Sequence, residues 1–328
     1  MNTKALLGAL AAVTVVAGFA APASAQSRQD PESRQTRETA PEAEESNSSA
    51  FQHLRSAETQ RGRRGRRAAA PAAPAVSAEE AKATVQTQLT AAGIACDVTE
   101  ATLVGMDAEQ QPVFEAVCAS GSGYLALTTT PPQAFNCLEL AGQAETSRMR
   151  DPEAAVGQQC TLPANQNGLA VIGGFAREAG LACTVDQAGA IGKNTAGDLV
   201  YEVGCSEAKG YWVERAENGW KTTPCWDLAF SNIVCRYTTA AEVLASWQGV
   251  LAGSSAAACD VQAGRRVGRD AQGLTVYELK CGAGDGYFVR VDADWKAQQF
   301  QPCTAVQHIA GGCTLTPVPA AAPAAAEQ

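Results

Sequence analysis

The twelve cysteines of this chain fall into three sets of four, and their spacing is the feature that most constrains the fold. In every set the second cysteine follows the first by 22 residues, and the first cysteine lies in "ACDV", "ACTV" or "ACDV". Agreement in both position and neighbouring residues indicates an internal repeat, so we expect three units built alike. The sets are Cys96, Cys118, Cys137, Cys160; Cys183, Cys205, Cys225, Cys235; and Cys259, Cys281, Cys303, Cys313.

The start of the chain is typical of a secretory signal peptide. Lys4 precedes an apolar stretch, and Ala23-Ser24-Ala25 has the small residues of a cleavage site. We therefore predict a signal peptide at residues 1–25 and a mature chain from Gln26. No cysteine directly follows the predicted cleavage site and no later stretch is apolar enough to span a bilayer, so neither a lipid anchor nor a transmembrane segment is expected. The prediction is a bacterial protein that a Sec-type signal exports to the periplasm or the exterior.

An even number of cysteines in an exported chain predicts disulfides. A metal site would require close pairs such as C-x-x-C or nearby histidines, and the chain has only His53 and His308, so no metal or cofactor is expected. Three connectivities are possible within one unit. A hairpin centred between the first two cysteines of each unit would place them within disulfide reach. We predict the pairs Cys96–Cys118, Cys183–Cys205, Cys259–Cys281, Cys137–Cys160, Cys225–Cys235 and Cys303–Cys313.

A helix is predicted before the first cysteine of each unit. Ser77 with Glu80, and Thr239 with Glu242, have the spacing of a capping box. Apolar residues then recur every three to four positions, as expected for one buried helix face. The predicted buried residues are Ala81, Val85, Leu89 and Ala92 in the first unit; Leu169, Ile172 and Ala176 in the second; and Val243, Trp247 and Leu251 in the third.

An antiparallel sheet of about four strands is predicted after each helix, followed by a short helix between the last two cysteines. The first unit has "TTTPPQAF" where the others have a Trp-Lys strand. The prediction is an α+β fold of three tandem repeats at residues 77–162, 163–237 and 238–316. Because the core of one such unit is small, we expect disulfides to contribute strongly to stability.

The second strand carries the most similar residues of the three units: Val, an aromatic residue, Glu, then Cys, four residues and Gly-Tyr. Strand alternation places Tyr201, Val203 and Cys205 on one face, which we assign to the core beneath the helix. The glutamates of this motif are then expected on the solvent face, in a cross-strand pair or a contact between units. They are Glu115, Glu202 and Glu278.

Apolar residues on the same outer face have two interpretations. Leu125, Trp212 and Phe288 occupy equivalent positions, and the same two interpretations apply to Trp220 and Trp295. One interpretation is packing between units, which we favour; the other is a platform for a sugar ring or a partner protein.

This order of helix, antiparallel sheet and repeated cysteines over residues 77–315 resembles two groups of secreted proteins. One is the helix-on-sheet repeats of the PepSY type, and the other is the tandem disulfide-bearing repeats of the β-lactamase inhibitor protein. The resemblance covers element order and cysteine usage. No inhibitory residue carries over, because no stretch aligns.

Low-complexity segments are predicted on both sides of the repeats. Residues 26–76 are rich in Gln, Ser, Glu, Arg, Ala and Pro, which predicts a disordered linker, and residues 317–328 form an Ala/Pro-rich tail. The linker contains a basic run, interpreted as a solvated tract, as an anion-binding patch for polysaccharide or phosphate-rich lipid, or as a protease-sensitive site. Its members are Arg61, Arg63, Arg64, Arg66 and Arg67. A net charge of −9 argues against general nucleic-acid binding.

The sequence contains no arrangement typical of a catalytic site. A Ser-His-Asp or Cys-His site needs a histidine in the fold, and His308 is interpreted as a surface residue. "SGSGY" at Ser120 lacks the order of a nucleophile elbow, and no helix follows the glycine-rich "GAGDG" at Gly282. We expect a non-enzymatic binding, inhibitor or scaffold protein of the cell envelope that contacts a secreted or envelope protein. The alternative is a carbohydrate- or peptidoglycan-binding protein that contacts an anionic polysaccharide.

Overall fold

A computed structural model describes residues 76–316 of the chain. This part is an α+β protein with three antiparallel four-stranded sheets and six disulfides. Each sheet is a simple meander, in which strands that follow one another in the chain are neighbours. The predicted signal peptide, most of the linker with its arginine run, and the tail lie outside the described residues.

The first sheet lies between a helix that precedes it and a second helix that begins at Cys137. Its elements are α1 Ala78–Ala91, β1 Val98–Met106, β2 Pro112–Cys118, β3 Tyr124–Leu127, β4 Gln133–Asn136 and α2 Cys137–Arg150. The "TTTPPQAF" stretch, which has no Trp-Lys pattern, thus still provides most of the fourth strand, β4. Helix α2 has 14 residues, longer than the short helix expected, and fits within the 23-residue separation of Cys137 and Cys160.

The second and third sheets repeat this order with shorter closing helices. The second comprises α3 Pro163–Gln166, α4 Gly168–Glu178, β5 Val185–Lys193, β6 Leu199–Cys205, β7 Lys209–Ala216, β8 Gly219–Pro224 and α5 Cys225–Phe230. The third comprises α6 Ala240–Leu251, β9 Val261–Arg269, β10 Thr275–Cys281, β11 Tyr287–Val291, β12 Ala297–Pro302 and a 3-10 helix at Cys303–Ala305.

Helix ends follow the local signals in the sequence. The Ser77 side chain accepts a bond from the Glu80 backbone N–H, and Thr239 forms a complete capping box with Glu242. Gly253, just after α6, has φ of 73°, a left-handed conformation that glycine adopts without a steric penalty. Leu169 departs from the prediction: it lies in the first turn of α4 but is 43% exposed, whereas Ile172 and Ala176 are buried.

The cysteines form the six pairs that their spacing predicts. Pairs 22 residues apart join the segment just before the first strand of each sheet to the last residue of the second strand. The other three close the segment after the fourth strand. Each cross-link restricts the unfolded chain and so favours the folded one.

Both faces of each central strand are buried, which corrects the prediction of an outer face in solvent. Tyr201, Val203 and Cys205 pack beneath the helix as expected. The glutamates of the motif are buried as well, at 0%, 1% and 0% exposure for Glu115, Glu202 and Glu278. The chain that follows the fourth cysteine of each set covers part of this second face. Leu140 on the first sheet and Val306 on the third add to the cover.

Neighbouring sheets share cores through their closing helices. Leu138 of α2 packs with Ile172 of α4 and Val203 of β6; we call this contact the first junction. Trp226 of α5 packs with Trp247 of α6 and Tyr277 of β10; we call this the second junction. Within residues 76–316, no helix combines the length and apolarity needed to cross a membrane.

Candidate functional site

The repeated glutamates hold down the segment that follows each fourth cysteine. The backbone N–H groups of Thr161 and Leu162 donate to the Glu115 carboxylate at 2.7 and 2.8 Å, and the Asn165 amide donates to it at 2.9 Å. Hydrogen bonds to a carboxylate are stronger than those between neutral groups. Because they join residues 46 to 50 positions apart in the chain, they fix the cover over the first sheet.

The same arrangement recurs on the other two sheets. Glu202 accepts from the Tyr237 backbone N–H at 2.5 Å, and Glu278 accepts from the Leu315 backbone N–H at 2.5 Å. A second donor also reaches each carboxylate: the Trp212 indole at 3.3 Å for Glu202 and the Arg265 guanidinium at 2.6 Å for Glu278. We call this carboxylate-to-backbone contact the clasp.

The glycine of each Gly-Tyr pair leaves room for the clasped segment. A Cβ added at Gly210 would lie 1.8 Å from the Thr238 hydroxyl, and one at Gly286 would lie 2.7 Å from the Thr316 hydroxyl. At Gly123 the Asn165 side chain would be 2.0 Å away. The Glu and Gly of the repeated motif therefore serve one structural purpose, the closing of the second face of each sheet.

Each clasp carboxylate also lies close to a disulfide. In each of the three sets a glutamate oxygen and two sulfur atoms come within 4.8 Å of one another, for example at Glu115, Cys137 and Cys160. A metal would require thiolates, whereas these sulfur atoms are bonded to each other. The clasp carboxylates already accept bonds from N–H groups, so the arrangement is structural.

The predicted outer row does not form one exposed surface. Leu125 and Phe288 are fully buried and pack in clusters on the clasped faces of their own sheets. Trp212 is half-buried and packs against the core of the second junction. Of the row, only Trp212 thus packs between two sheets, which is the kind of contact favoured for all three.

Trp220 and Trp295, the two other aromatic residues of the predicted face, are half-buried and hydrogen-bonded. The Arg215 guanidinium lies 3.9 Å over the ring of Trp220, whose indole N–H donates to Glu178 at 3.1 Å. The indole N–H of Trp295 donates to the Thr222 carbonyl at 3.0 Å. His308 lies exposed beyond the last 3-10 helix.

A cleft at the first junction is the candidate site that sequence reasoning missed. Its volume is about 320 Å³, at the lower end for small-molecule sites, and it lies between α2, α3, α4 and β5. Leu138 and Ala188 form apolar walls, and Leu169 is the large apolar residue exposed beside them. Side-chain amides of Gln159, Asn165 and Gln166 supply the polar groups.

No ionisable side chain is among the described residues that line the cleft. Asn165 is fixed in place, because its amide donates to both Glu115 and the Ala116 carbonyl. A fixed carboxamide beside apolar walls can orient a neutral ligand by hydrogen bonding. No sequence signal marked this site, because helical periodicity assigned Leu169 to the buried face of its helix.

No protein-family model matches the chain, and no curated protein matches its sequence.

Proposed function

We propose that this chain is an exported, non-enzymatic binding protein of the cell envelope that acts as an inhibitor or scaffold for a secreted or envelope protein. The observation that carries the proposal is the cleft at the first junction, where Leu169 is 43% exposed beside neutral amides. Concave sites with apolar walls and a few polar groups are the usual form of a binding site.

The structural role of the three repeated glutamates supports a binding function over a catalytic one. Glu115, Glu202 and Glu278 are buried and bonded to backbone N–H groups, so they serve the fold. The cleft itself offers amides and aliphatic groups, which bind and orient a ligand but do not transfer protons near neutral pH.

The proposed organisation is that of the sequence prediction. It comprises a signal peptide at 1–25, a linker at 26–76, tandem units at 77–162, 163–237 and 238–316, and a tail. Six disulfides fit a protein of the periplasm or the exterior. The likeness to PepSY-type and β-lactamase-inhibitor repeats belongs to the same proposal and rests on element order.

The carbohydrate-binding alternative has less support from the described aromatic residues. A sugar ring stacks on an open aromatic face, whereas the guanidinium of Arg215 lies over Trp220 and Trp295 packs on Trp226 at 5.5 Å between ring centroids. Sugar binding at Trp220 would first have to displace the arginine.

The experiment is a capture of envelope and secreted proteins of the producing cell by the full chain, with two matched variants. Leu169→Asp places a charge at the neutral cleft, and Met149→Asp places one at an apolar residue that is 65% exposed and does not line the cleft. We expect the first variant to lose the captured protein and the second to retain it.

Two results would overturn the proposal. One is a partner that Leu169→Asp retains in full, since this would place the contact elsewhere. The other is the absence of any captured protein together with binding to immobilised peptidoglycan that Trp220→Ala abolishes, which would favour the alternative.

A further inference from the structure

The two junctions can be compared position by position through the sheet register. Ala188 of β5 lies opposite Val203, and Gly264 of β9 lies opposite Leu279. Val203 and Leu279 each stand two residues before the cysteine of their strand, so Ala188 and Gly264 are equivalent. Ala188 lines the cleft.

At the second junction an aromatic ring covers this position. A Cβ added at Gly264 would lie 2.0 Å from the Phe230 ring, so the ring rests directly on the strand. Phe230 stacks on Trp247 with 5.6 Å between centroids and 12° between planes. The sheet position that borders the cleft at the first junction is therefore filled by a ring at the second.

At the first junction the equivalent ring is missing from the chain. Phe230 stands five residues after the third cysteine of its set, and the residue five after Cys137 is Gly142. Trp226 is likewise replaced by Leu138. A Cβ at Gly142 would lie 2.0 Å from the Ala190 carbonyl, so α2 lies directly against β5 there and leaves the space over Ala188 open.

The charges near the cleft favour an uncharged occupant. Glu139, next to Leu138 on α2, pairs with Lys193 of β5 at 2.7 Å. The lining itself carries only side-chain amides, and Gln159 already donates to the Val156 carbonyl at 3.1 Å. Burial of a charged group in such surroundings would be costly because no opposite charge lines the site.

We propose that the cleft receives an uncharged aromatic side chain, phenylalanine or tyrosine, from a polypeptide partner, and that this ring takes the place that Phe230 fills at the second junction. The size fits, since a cavity of about 150 Å³ holds benzene, and the remaining volume accommodates the adjoining peptide group. The inference rests on the proposed function and specifies the chemistry of the partner.

The test uses N-acetyl-phenylalanine amide and N-acetyl-tyrosine amide as probes, with N-acetyl-alanine amide and N-acetyl-lysine amide as controls. Binding to the full chain is followed by NMR through the methyl signals of Leu138 and Leu169. We expect the aromatic amides to bind at least about tenfold more tightly than either control, because burial of a ring contributes more than burial of a methyl group.

Variants then locate the binding. Ala188→Phe supplies a ring from the sheet and should weaken binding of the aromatic amides at least about tenfold. Leu169→Asp, a less disruptive change at an exposed position, should weaken it in the same direction, and Met149→Phe should leave it unchanged. Equal binding of the phenylalanine and alanine amides, or full binding by both cleft variants, would overturn the inference.

This failure is distinguishable from failure of the proposed function. A captured protein that depends on Leu169 while the aromatic amides do not bind would disprove only the aromatic occupant. Aromatic amides that bind, while no envelope protein is captured and peptidoglycan binds through Trp220, would disprove the proposed function and leave the chemistry of the cleft intact.

Discussion

The first and second junctions are built from equivalent elements, but aromatic rings fill the second and a cleft lies at the first. In each, a helix that starts at the third cysteine of one set packs against the helix and sheet that follow. The second junction contains a set of aromatic rings in mutual contact: Trp226, Phe230, Trp247, Tyr277 and Trp295. The first has Leu138, Ala141 and Gly142 on its helix and a cleft of about 320 Å³. The clasp keeps both sheets closed, so the fold tolerates a junction that is not filled.

The polar contacts of the two junctions are more alike than their cores. The Tyr237 hydroxyl donates to Glu145 of α2 at 2.6 Å, and the Tyr277 hydroxyl donates to Asp227 of α5 at 2.5 Å. Arg236 also pairs with Glu145 at 3.0 Å. A tyrosine–carboxylate bond thus holds each closing helix: Tyr237 lies in the clasped segment over the second sheet, and Tyr277 lies in β10 at the second junction.

The largest expected effect is at the aromatic junction. Trp226→Ala should lower the free energy of unfolding by about 3–5 kcal/mol, because it removes a large packed ring. The centroid of this ring lies 4.5 Å from that of Trp247 and 5.3 Å from that of Tyr277. Leu138→Ala should cost less, about 2–3 kcal/mol, since its surroundings already include open space. Urea denaturation with tryptophan fluorescence measures both. A greater loss for Leu138→Ala would contradict the difference in packing.

The clasp gives the next largest effect. Glu115→Ala should cost about 3 kcal/mol or more, because it leaves the backbone N–H groups of Thr161 and Leu162 and the Asn165 amide without their shared acceptor. Glu202→Ala, which frees one backbone N–H at Tyr237, should cost about 2 kcal/mol. Glutamine variants at both positions serve as controls that retain an acceptor oxygen. If Glu115→Ala is neutral in thermal denaturation, the clasp does not stabilise the first sheet.

The local features of the fold could be predicted from the sequence. Cysteine spacing gave the pairing because each hairpin centre lies midway between its two cysteines, and the stripe of Val243, Trp247 and Leu251 is buried as its periodicity requires. These features depend on residues near one another in the chain.

The features that the sequence did not predict depend on distant parts of the chain. Alternation shows that Glu115 and Leu125 share a face, but the segment that covers this face lies about 46 residues beyond Glu115. The cleft was missed for a related reason: it results from side chains that are absent, such as a ring at Gly142. Only a comparison with the equivalent Phe230 makes that absence visible.

High pH should weaken both tyrosine–carboxylate bonds. Burial, together with the bond to Glu145, raises the pKa of Tyr237 from 10.0 to about 12, and burial with the Asp227 bond raises the pKa of Tyr277 further. The unfolded chain therefore loses these protons near pH 10 while the folded chain retains them. Stability is complete below pH 10 and falls as pH rises above it.

Phenylalanine variants sharpen this comparison. In urea denaturation between pH 9 and 11, Tyr237→Phe and Tyr277→Phe should each reduce the loss of stability with pH, by at most about one proton per group. The two reductions should be similar, because both folded hydroxyls keep their protons in this range while the unfolded tyrosines lose theirs near pH 10. An unchanged slope in both variants would show that these hydroxyls do not stabilise the contacts of the two closing helices.

The smallest expected effect concerns the caps of the two junction helices. The Thr239 side chain at the start of α6 accepts from the Glu242 N–H, and the Glu242 carboxylate accepts from the Thr239 N–H at 2.7 Å. At the start of α4 the described bonds give the Asn167 side chain one partner, the Ala170 N–H at 3.3 Å. Thr239→Ala should cost about 1 kcal/mol and Asn167→Ala about half of that.

The acid range tests the capping interpretation directly. The backbone bond from Thr239, followed by the bond from its hydroxyl, lowers the pKa of Glu242 below its ordinary value of 4.5. The stabilising effect of the carboxylate is therefore present above pH 4.5 and is lost as pH falls through the lowered pKa. We expect the cost of Thr239→Ala in thermal denaturation to shrink from pH 7 to pH 3, while that of Asn167→Ala, whose amide does not titrate, stays constant. If both costs shrink alike, acid weakens α4 and α6 through some group other than the cap, and the reciprocal bond of Glu242 does not distinguish the two junction helices.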